Sequence, residues 1–385
     1  MSGEAVRDSV DQATVIPDAP ALIYAGIDEA GYGPTLGPLC VALTVFEVRR
    51  WTPGDAAPDL WSLLKRAVSR TPSATGRRAG RTSVRQGVRI AVNDSKKLKI
   101  ANHDPRRHPL THLERGVLAF LAASGSQHQT DASLLRSIGA DDLPQEWYAG
   151  DPVPLPLTTT PEHLALMSSR LSVACADAGV RMLDMRCLAV HERAFNDGLT
   201  RLGSKADVSF CAVAALLRRV WKSRAVLIRA GSSGMLGPAG APRVVIDRQG
   251  GRTEYAGLLA RAIEDADVHT VAQTERQSVY DVIAREPEKV APDHASGAGD
   301  DGPVRRCMRI CFRVEAEQHH FPVALASMVA KLVRELLMHR FNRYWCERIA
   351  ELKPTAGYAT DARRWLADVR PFVADDQLRE LIRRA

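Results

Sequence analysis

The sequence predicts an α/β fold, in which strands and helices alternate along the chain. Four apolar runs, at residues 22–28, 39–48, 243–246 and 307–314, have the length and composition of buried strands. Between and beyond them apolar residues recur at helical spacing, most extensively over 325–351. Because strands that alternate with helices pack as a sheet covered by helices, we expect one α/β domain.

The first apolar run leads directly into two acidic residues. Asp28 and Glu29 end the run, and Gly31-Tyr32-Gly33-Pro34 follows at once. The glycines and the proline predict a tight loop that exposes its backbone. Two adjacent carboxylates at a strand end are costly to desolvate unless a cation or hydrogen-bond donors compensate them. Taken alone, the pair is explained better by an ordinary acidic turn than by a functional site.

Several helix starts are marked in the sequence. Thr160 is followed by Pro161 and Glu162, which combines a hydroxyl cap with proline in the first turn, and Ser204 precedes Asp207 at capping-box spacing. A further helix is expected around 110–123. We expect residues 1–20 to be a disordered tail and 21–385 a single domain, with insertions at about 66–88, 124–160 and 284–304. The arginine-rich segment 69–87 suits contact with nucleic acid and plain solvation equally well.

Composition narrows the class of protein. The 385 residues carry a net charge of +7, with 45% hydrophobic and 25% charged residues, as in soluble globular proteins with a polyanionic partner. The seven cysteines are an odd number without a Cys-x-x-Cys pair, which indicates reduced thiols. No apolar stretch approaches the ~20 residues that span a bilayer, and the first residues lack the apolar core of a signal peptide. We therefore expect a cytoplasmic monomer without membrane contact.

Further acidic residues follow other strands. Asp247 ends the run 243–246, and Glu315 and Glu317 follow the run 307–314. Carboxylates that converge on one edge of a sheet repel each other unless divalent cations bind, and Mg²⁺ prefers such oxygen ligands. This arrangement suits phosphodiester hydrolysis with two metal ions ~4 Å apart.

Two segments add groups that suit phosphate. Asp94-Ser95-Lys96-Lys97 follows a short apolar run, and its hydroxyl and ammonium groups can bind phosphate oxygens. Ser327, Lys331 and Arg334 are spaced i, i+4 and i+7, so they share one face of the predicted helix.

In this order the segments resemble the type 2 ribonuclease H family. The first segment, Gly26-Ile27-Asp28-Glu29-Ala30-Gly31-x-Gly33-Pro34 with Gly37-Pro38, is similar to the opening signature of the family. Later family motifs are matched by Asp94-Ser95-Lys96-Lys97-Leu98, Ala326-Ser327-x-x-Ala330-Lys331 and Gly357-Tyr358-Ala359-Thr360. The resemblance covers about half of the chain, at 22–48, 88–98, 190–250 and 305–370.

The resemblance implies an RNase H-like fold, with a mixed central sheet flanked by helices and a C-terminal helical extension. It implies hydrolysis of the RNA strand of an RNA–DNA hybrid or ribonucleotide-containing duplex, leaving a 5′-phosphate and a 3′-hydroxyl. Two Mg²⁺ or Mn²⁺ ions would be held by Asp28, Glu29, Asp247 and Glu317, with Glu315 as the alternative to Glu317. The residues that would contact the substrate are Gly31, Tyr32, Gly33, Ser95, Lys96, Lys97, Ser327, Lys331, Arg334 and Tyr358.

Four departures from the family pattern keep other functions open. Tyr32 stands where the family has arginine, and Glu317 where it has aspartate. Arg248 stands where the family usually has glycine, and Thr355-Ala356 replaces its usual His-Lys pair. One alternative is a nucleic-acid-binding protein on the same fold with weakened or lost catalysis. The other is a nuclease with a different substrate, such as a DNA junction.

Overall fold

The computed structural model of the chain describes residues 21–72, 89–102, 104–223, 240–248, 251–287 and 305–384. The expected tail at 1–20 lies outside the described residues, as do most of the expected insertions at 66–88 and 284–304. The remaining expected insertion, 124–160, is described and contains one α-helix and a 3-10 turn at Glu146–Tyr148.

Most of the described strands belong to one mixed sheet. The strands are β1 (Leu22–Ala30), β2 (Leu39–Val48), β3 (Val68–Ser69), β4 (Ile90–Ala91), β5 (Val180–Val190), β6 (Arg243–Asp247), β7 (Ala266–Gln273), β8 (Gln277–Ala284) and β9 (Cys307–Arg313). Seven of them form a sheet in the order β5-β2-β1-β6-β9-β8-β7, and β3 pairs with β4 separately. β6 and β9 run parallel to β1, whereas the pairings of β2 with β1 and β5, and of β8 with β7 and β9, are antiparallel.

Helices cover both faces of this sheet. They are α1 (Leu60–Leu63), α2 (Ser95–Leu98), α3 (Thr111–Ala123), α4 (Asp131–Ile138), α5 (Pro161–Ala178), α6 (Glu192–Leu202), α7 (Lys205–Lys222), α8 (Ala256–Ala262), α9 (Ala316–His319), α10 (Phe321–Arg348), α11 (Ala359–Val369) and α12 (Asp375–Leu381). On β1, Leu22 and Tyr24 face the core shared with α3, α5 and α10, while Ile23, Ala25 and Ile27 face the core shared with α7 and α8. Because β1 is buried on both faces, its sequence is a continuous apolar run.

The start of the long helix α10 packs unusually close to β1. A Cβ added at Gly26 would lie 2.2 Å from the backbone nitrogen of Val323, so only glycine permits this approach. The hydroxyl of Thr44 on β2 donates to the carbonyl of Pro322 at 2.8 Å. Together these contacts fix the first turns of α10 over the end of β1 that carries Asp28.

A buried ion pair ties the 124–160 segment to α10. Arg340 donates to both oxygens of Asp131 at 2.6 and 2.7 Å, and its third nitrogen donates to the carbonyl of Tyr148 at 2.9 Å. The backbone N–H of Val153 donates to Asp131 at 2.8 Å. Both charges are thus satisfied in a buried position, which such pairs require.

These features confirm the predicted fold class, a mixed central sheet flanked by helices with a helical region, α10–α12, at the end. Thr160 and Ser204 cap α5 and α7 as predicted. The long helix starts at Phe321 rather than 325, with proline in its first turn. Among the described residues, no helix has both the length and the apolar character needed to cross a bilayer.

Candidate active site

The three parallel strands β1, β6 and β9 bring acidic residues together where their carboxyl-terminal ends meet. Ile27 of β1 lies opposite Ile246 of β6, so Asp28 and Asp247 follow at neighbouring positions. Asp247 lies opposite Arg313, and the chain continues from β9 into α9, which contains Glu317. Because hydrogen-bonded strands lie about 4.8 Å apart, these carboxylates are close neighbours.

Asp28 lies on the sheet face that α10 covers and is buried. Its Oδ1 accepts the backbone N–H of Glu29 at 2.7 Å, and its side chain also hydrogen-bonds with Ser327. Glu29 follows on β1, where successive side chains point to opposite faces of a sheet. Its charge is near enough to raise the pKa of Tyr32, after the larger effect of burial.

The structure distinguishes Glu317 from Glu315. Glu317 forms a side-chain hydrogen bond with Asp247, whose Oδ1 also accepts the backbone N–H of Ala316 at 2.9 Å. Glu315 has a left-handed backbone, φ 54°, and its exposed carboxylate lies 3.3 Å from Arg276. Glu317 is therefore the one that faces the other acids.

Burial is the main cause that raises the pKa values of these carboxylates, and neighbouring acids add to it at Asp28 and Glu317. Burial raises the pKa of Asp28 well above its ordinary value, and the charges of Glu29 and Asp247 add to this effect. Burial also raises the pKa of Asp247, and it raises the pKa of Glu317 to about 7, with the Asp247 charge as the next cause. Because two ionised carboxylates cannot donate to each other, the contact between Asp247 and Glu317 requires a proton on one of them, and Glu317, with a pKa raised to about 7, is the group that can carry it.

The donor chemistry of the cluster fits a hard divalent cation. All four side chains offer only oxygen, and Glu317 Oε2 is buried without a hydrogen-bond partner among the described residues. A cation would replace the proton between Asp247 and Glu317 and remove the repulsion that adds to these pKa shifts. Within the described residues, no three or more His, Cys, Asp or Glu side chains are grouped closely enough to hold a metal ion as they stand.

The Ser-Lys-Lys segment forms helix α2 beside this cluster. Asp94 caps α2 by accepting the backbone N–H of Lys96 at 2.9 Å. Ser327 on α10 donates to the Ser95 hydroxyl at 3.0 Å, which joins α2 to α10 next to Asp28. Lys96 is close enough for its charge to lower the pKa of Asp247, and the side chains of Lys96 and Lys97 are exposed.

The remaining predicted residues on α10 are largely buried. Lys331 is 9% exposed and lies 2.8 Å from Glu335, while its ammonium lies 5.9 Å from the centre of the Tyr358 ring. Arg334 is only 1% exposed and donates to the carbonyls of Leu36 and Ala356 at 3.0 and 3.3 Å. Tyr358, in contrast, is 45% exposed. Tyr358 is therefore accessible to a ligand, whereas Arg334 supports a loop.

That loop is the glycine-rich segment 31–38. Thr35 and Leu36 donate their backbone N–H groups to the carbonyl of Gly357, at 2.8 and 3.1 Å. Gly31 has φ 87°, and a Cβ there would lie 2.5 Å from Arg334 Nε. Gly33 is exposed, with nothing within 4 Å of its added Cβ. Contacts with Gly357 and Arg334 thus fix the loop on its buried side, and Gly33 is exposed on the other.

Two supports of this loop were missed by the sequence analysis. Arg383 donates to the carbonyls of Gly31, at 2.6 Å, and Pro34. Glu192 accepts the backbone N–H of Gly37 at 3.1 Å. Neither residue stands in a recognisable motif, since the contacts cross more than 150 positions of sequence.

No protein-family model and no curated protein matches the chain. Among solved structures, it is similar to ribonuclease HII in a PCNA complex from Archaeoglobus fulgidus, at 14% identity over 94% of each chain and a TM-score of 0.37. It is similar to ribonuclease H2 from Pyrococcus horikoshii at 14% identity, over 94% of this chain and 93% of that one, with a TM-score of 0.36. The chain is also similar to Bst ribonuclease HIII in complex with Mn²⁺, at 14% identity over 99% of this chain and 72% of that one, with a TM-score of 0.32. At these scores the similarity carries no argument about activity, and the fold class rests on the strand order above.

Proposed function

We propose that this protein is a divalent-metal-dependent nuclease that hydrolyses the RNA strand of RNA–DNA hybrids. The observation that carries the proposal is that Asp247, at the end of β6, neighbours both Asp28 on β1 and Glu317 on α9, which follows β9, with Glu29 next to Asp28. A structural role would not require such mutually repelling carboxylates at a partly open edge.

Asp28, Glu29, Asp247 and Glu317 would hold two Mg²⁺ or Mn²⁺ ions. Bound there, such ions supply an activated water and stabilise the leaving oxygen. The water oxygen forms a bond to phosphorus while the bond to the 3′ oxygen breaks, leaving a 5′-phosphate and a 3′-hydroxyl. The chain itself fixes the acids, through the Ser327 contact to Asp28 and the Ala316 N–H bonded to Asp247.

The groups around the acids suit a nucleic-acid strand. The ammonium groups of Lys96 and Lys97 are exposed next to the acids and can neutralise phosphates. The exposed backbone at Gly33 offers polar groups to a ribose, and the exposed ring of Tyr358 offers a surface on which a sugar or base can stack. Tyr32 lies in the same loop, so we propose that it alters how the ribonucleotide is recognised.

The test is cleavage of an end-labelled RNA–DNA hybrid with Mg²⁺ or Mn²⁺, with DNA and RNA duplexes in parallel. We expect metal-dependent cleavage of the RNA strand that Asp28→Asn and Asp247→Asn reduce by at least about a thousandfold, since each removes a metal ligand. Glu315→Gln is the matched control, because it removes a carboxylate two residues from Glu317 that faces Arg276 instead. Intact hybrid under every metal condition, with folded protein, would overturn the proposal.

The same experiment addresses a hybrid-binding protein with weakened catalysis. The observation that favours this second function is the hydrogen bond between Asp247 and Glu317, which occupies oxygens that metal ions need. Salt-sensitive binding of the hybrid without cleavage would establish it in place of the nuclease.

A further inference from the structure

Apart from Lys96 and Lys97, a group of basic side chains lies outside the acidic cluster. A cleft of about 290 Å³ opens between β4 and the start of α3. The charged and imidazole side chains that line it are Arg89, Arg106, Arg107, His108, His112 and Arg115. No carboxylate among the described residues lines it, although Asp and Glu are nearly as frequent as Lys and Arg in the chain.

The nearest acids are engaged with other groups. Asp104 accepts the backbone N–H groups of Arg106 and Arg107 at 2.8 and 3.0 Å, so it shapes the turn that carries these two exposed residues. Glu114 accepts the backbone N–H groups of Leu157 and Thr158, at 2.5 and 2.8 Å. Neither Arg106 nor Arg107 forms an ion pair with a described residue. Among the described residues, these two acids thus bond to backbone groups beside the cleft, while the lining itself is basic.

Arg115 lies at the inner wall of the cleft with unused donor capacity. Its Nε is buried and has no hydrogen-bond partner among the described residues, while another of its nitrogens donates to the carbonyl of Thr158 at 3.4 Å. An unpaired buried N–H is unfavourable, so this donor is available to an acceptor that enters the cleft. Burial, followed by the charges of Arg107 and Arg115, lowers the pKa of His112, in agreement with a positive potential there.

The helix α3 adds to this potential and fixes the cleft relative to the acidic cluster. Thr111 and His112, the first residues of α3, line the cleft, so the positive end of the helix faces it, and no side chain caps that end. A Cβ added at Gly116 would lie 2.3 Å from the Met328 side chain, so α3 sits tightly on α10 beside Ser327. From Ala91 in the cleft wall to Ser95, four residues span at most about 14 Å.

We propose that this cleft binds a backbone phosphate of the nucleic acid that the acidic cluster cleaves, a few nucleotides from the cleaved bond. The inference rests on the proposed function. One strand of a duplex carries a phosphate about every 3.4 Å of helix axis, so a cleft at most about 14 Å from α2 lies no more than about four nucleotides along the duplex from it. Guanidinium groups suit phosphate oxygens because they donate in a planar fork.

The test compares two double variants of the full chain. Arg106→Gln/Arg107→Gln removes two exposed charges at the cleft, and Arg193→Gln/Arg201→Gln removes two exposed charges from α6, which packs on the core at the other face of the sheet. Binding of a hybrid is measured by fluorescence anisotropy over a series of salt concentrations, without divalent metal, so that no cleavage occurs.

We expect the cleft variant to bind about tenfold more weakly and to reduce the slope of log K against log salt by about one, the value for one lost phosphate contact. With metal, its KM should rise and its kcat should stay unchanged. The α6 variant should keep the wild-type slope. Equal slopes for both variants would overturn the cleft proposal, even if the wild-type protein cleaves the hybrid. A smaller slope for the cleft variant, in a protein that cleaves no hybrid, would support phosphate binding by the cleft and overturn only the proposed nuclease activity.

Inorganic phosphate, added at constant ionic strength, separates a backbone phosphate from a free anion. If phosphate competes with the hybrid for the wild-type protein but not for the cleft variant, the cleft binds a backbone phosphate of the nucleic acid. Thermal stabilisation by phosphate that the cleft variant loses, together with unchanged hybrid binding, would overturn it in favour of a free-anion site.

Discussion

Glu317→Gln should stabilise the metal-free protein and remove its activity. Glu317 is partly buried beside Asp247, and these surroundings raise its pKa from 4.5 to about 7. Glutamine keeps the shape of the side chain and can donate to Asp247, but it carries no charge. The variant therefore removes the repulsion and retains the hydrogen bond.

The size of the effect follows from the pKa. A difference of this size corresponds to about 3 kcal/mol, at 1.36 kcal/mol for each pH unit. Because Glu317 is only half-buried, solvent screening reduces this to about 1–2 kcal/mol. A carboxyl whose pKa is higher in the folded state favours the fold below its unfolded pKa, and this advantage is lost as the pH rises through 7. The variant should thus equal the wild type at pH 4 and exceed it at pH 8.

Urea unfolding in the presence of a chelator measures this difference. Glu315→Gln is the control, since its exposed carboxylate faces Arg276, and it should change the free energy of unfolding by less than about 0.5 kcal/mol at either pH. A Glu317→Gln variant that is less stable than the wild type at pH 8, or whose advantage does not depend on pH, would refute the reasoning.

Three further outcomes are expected. Gly31→Ala should cost about 2–4 kcal/mol and lower activity, because φ is 87° and the new Cβ would meet a backbone carbonyl at 2.7 Å, whereas Gly33→Ala should be neutral in stability; thermal unfolding distinguishes the two. Arg340→Met should lower the free energy of unfolding by about 3–5 kcal/mol, because it leaves the charge of Asp131 buried without its partner. A double-mutant cycle with Asp131→Leu should show a coupling energy above about 1 kcal/mol, and a cycle without coupling would contradict the role of the pair. Burial lowers the pKa of His320 to about 4, so its protonation on unfolding should weaken the fold as the pH falls from 6.5 to 4. His320→Gln should reduce that loss by about 1–2 kcal/mol between pH 7 and pH 5, as measured by urea unfolding at the two pH values.

The sequence was sufficient to predict the strands that are buried along most of their length. β1, β2, β6 and β9 are largely buried, so their apolar runs identify them directly. The hairpin of β7 and β8 was not identified. β7 is an edge strand that is mostly exposed, and its sequence, Ala-Asp-Val-His-Thr-Val-Ala-Gln, therefore lacks an apolar run.

The site was predictable where it depends on strand ends and less so where it depends on long-range contacts. The choice between Glu315 and Glu317 depends on the left-handed backbone of Glu315, which turns that carboxylate away. Helical spacing placed Arg334 on the face with Ser327, but spacing does not determine what that face meets. In the fold it meets the glycine-rich loop, so Arg334 is buried. The role of Arg383 depends on the same loop.

Calorimetric titration of Mn²⁺ into the protein tests the central claim most directly, because it needs no substrate. The account predicts that the wild-type protein and Glu315→Gln bind Mn²⁺ near pH 6.5 and release protons, since a metal displaces the proton that Glu317 carries beside Asp247. Asp247→Asn should bind far more weakly. Absence of binding to the wild-type protein, or equal binding by Asp247→Asn, would contradict the account.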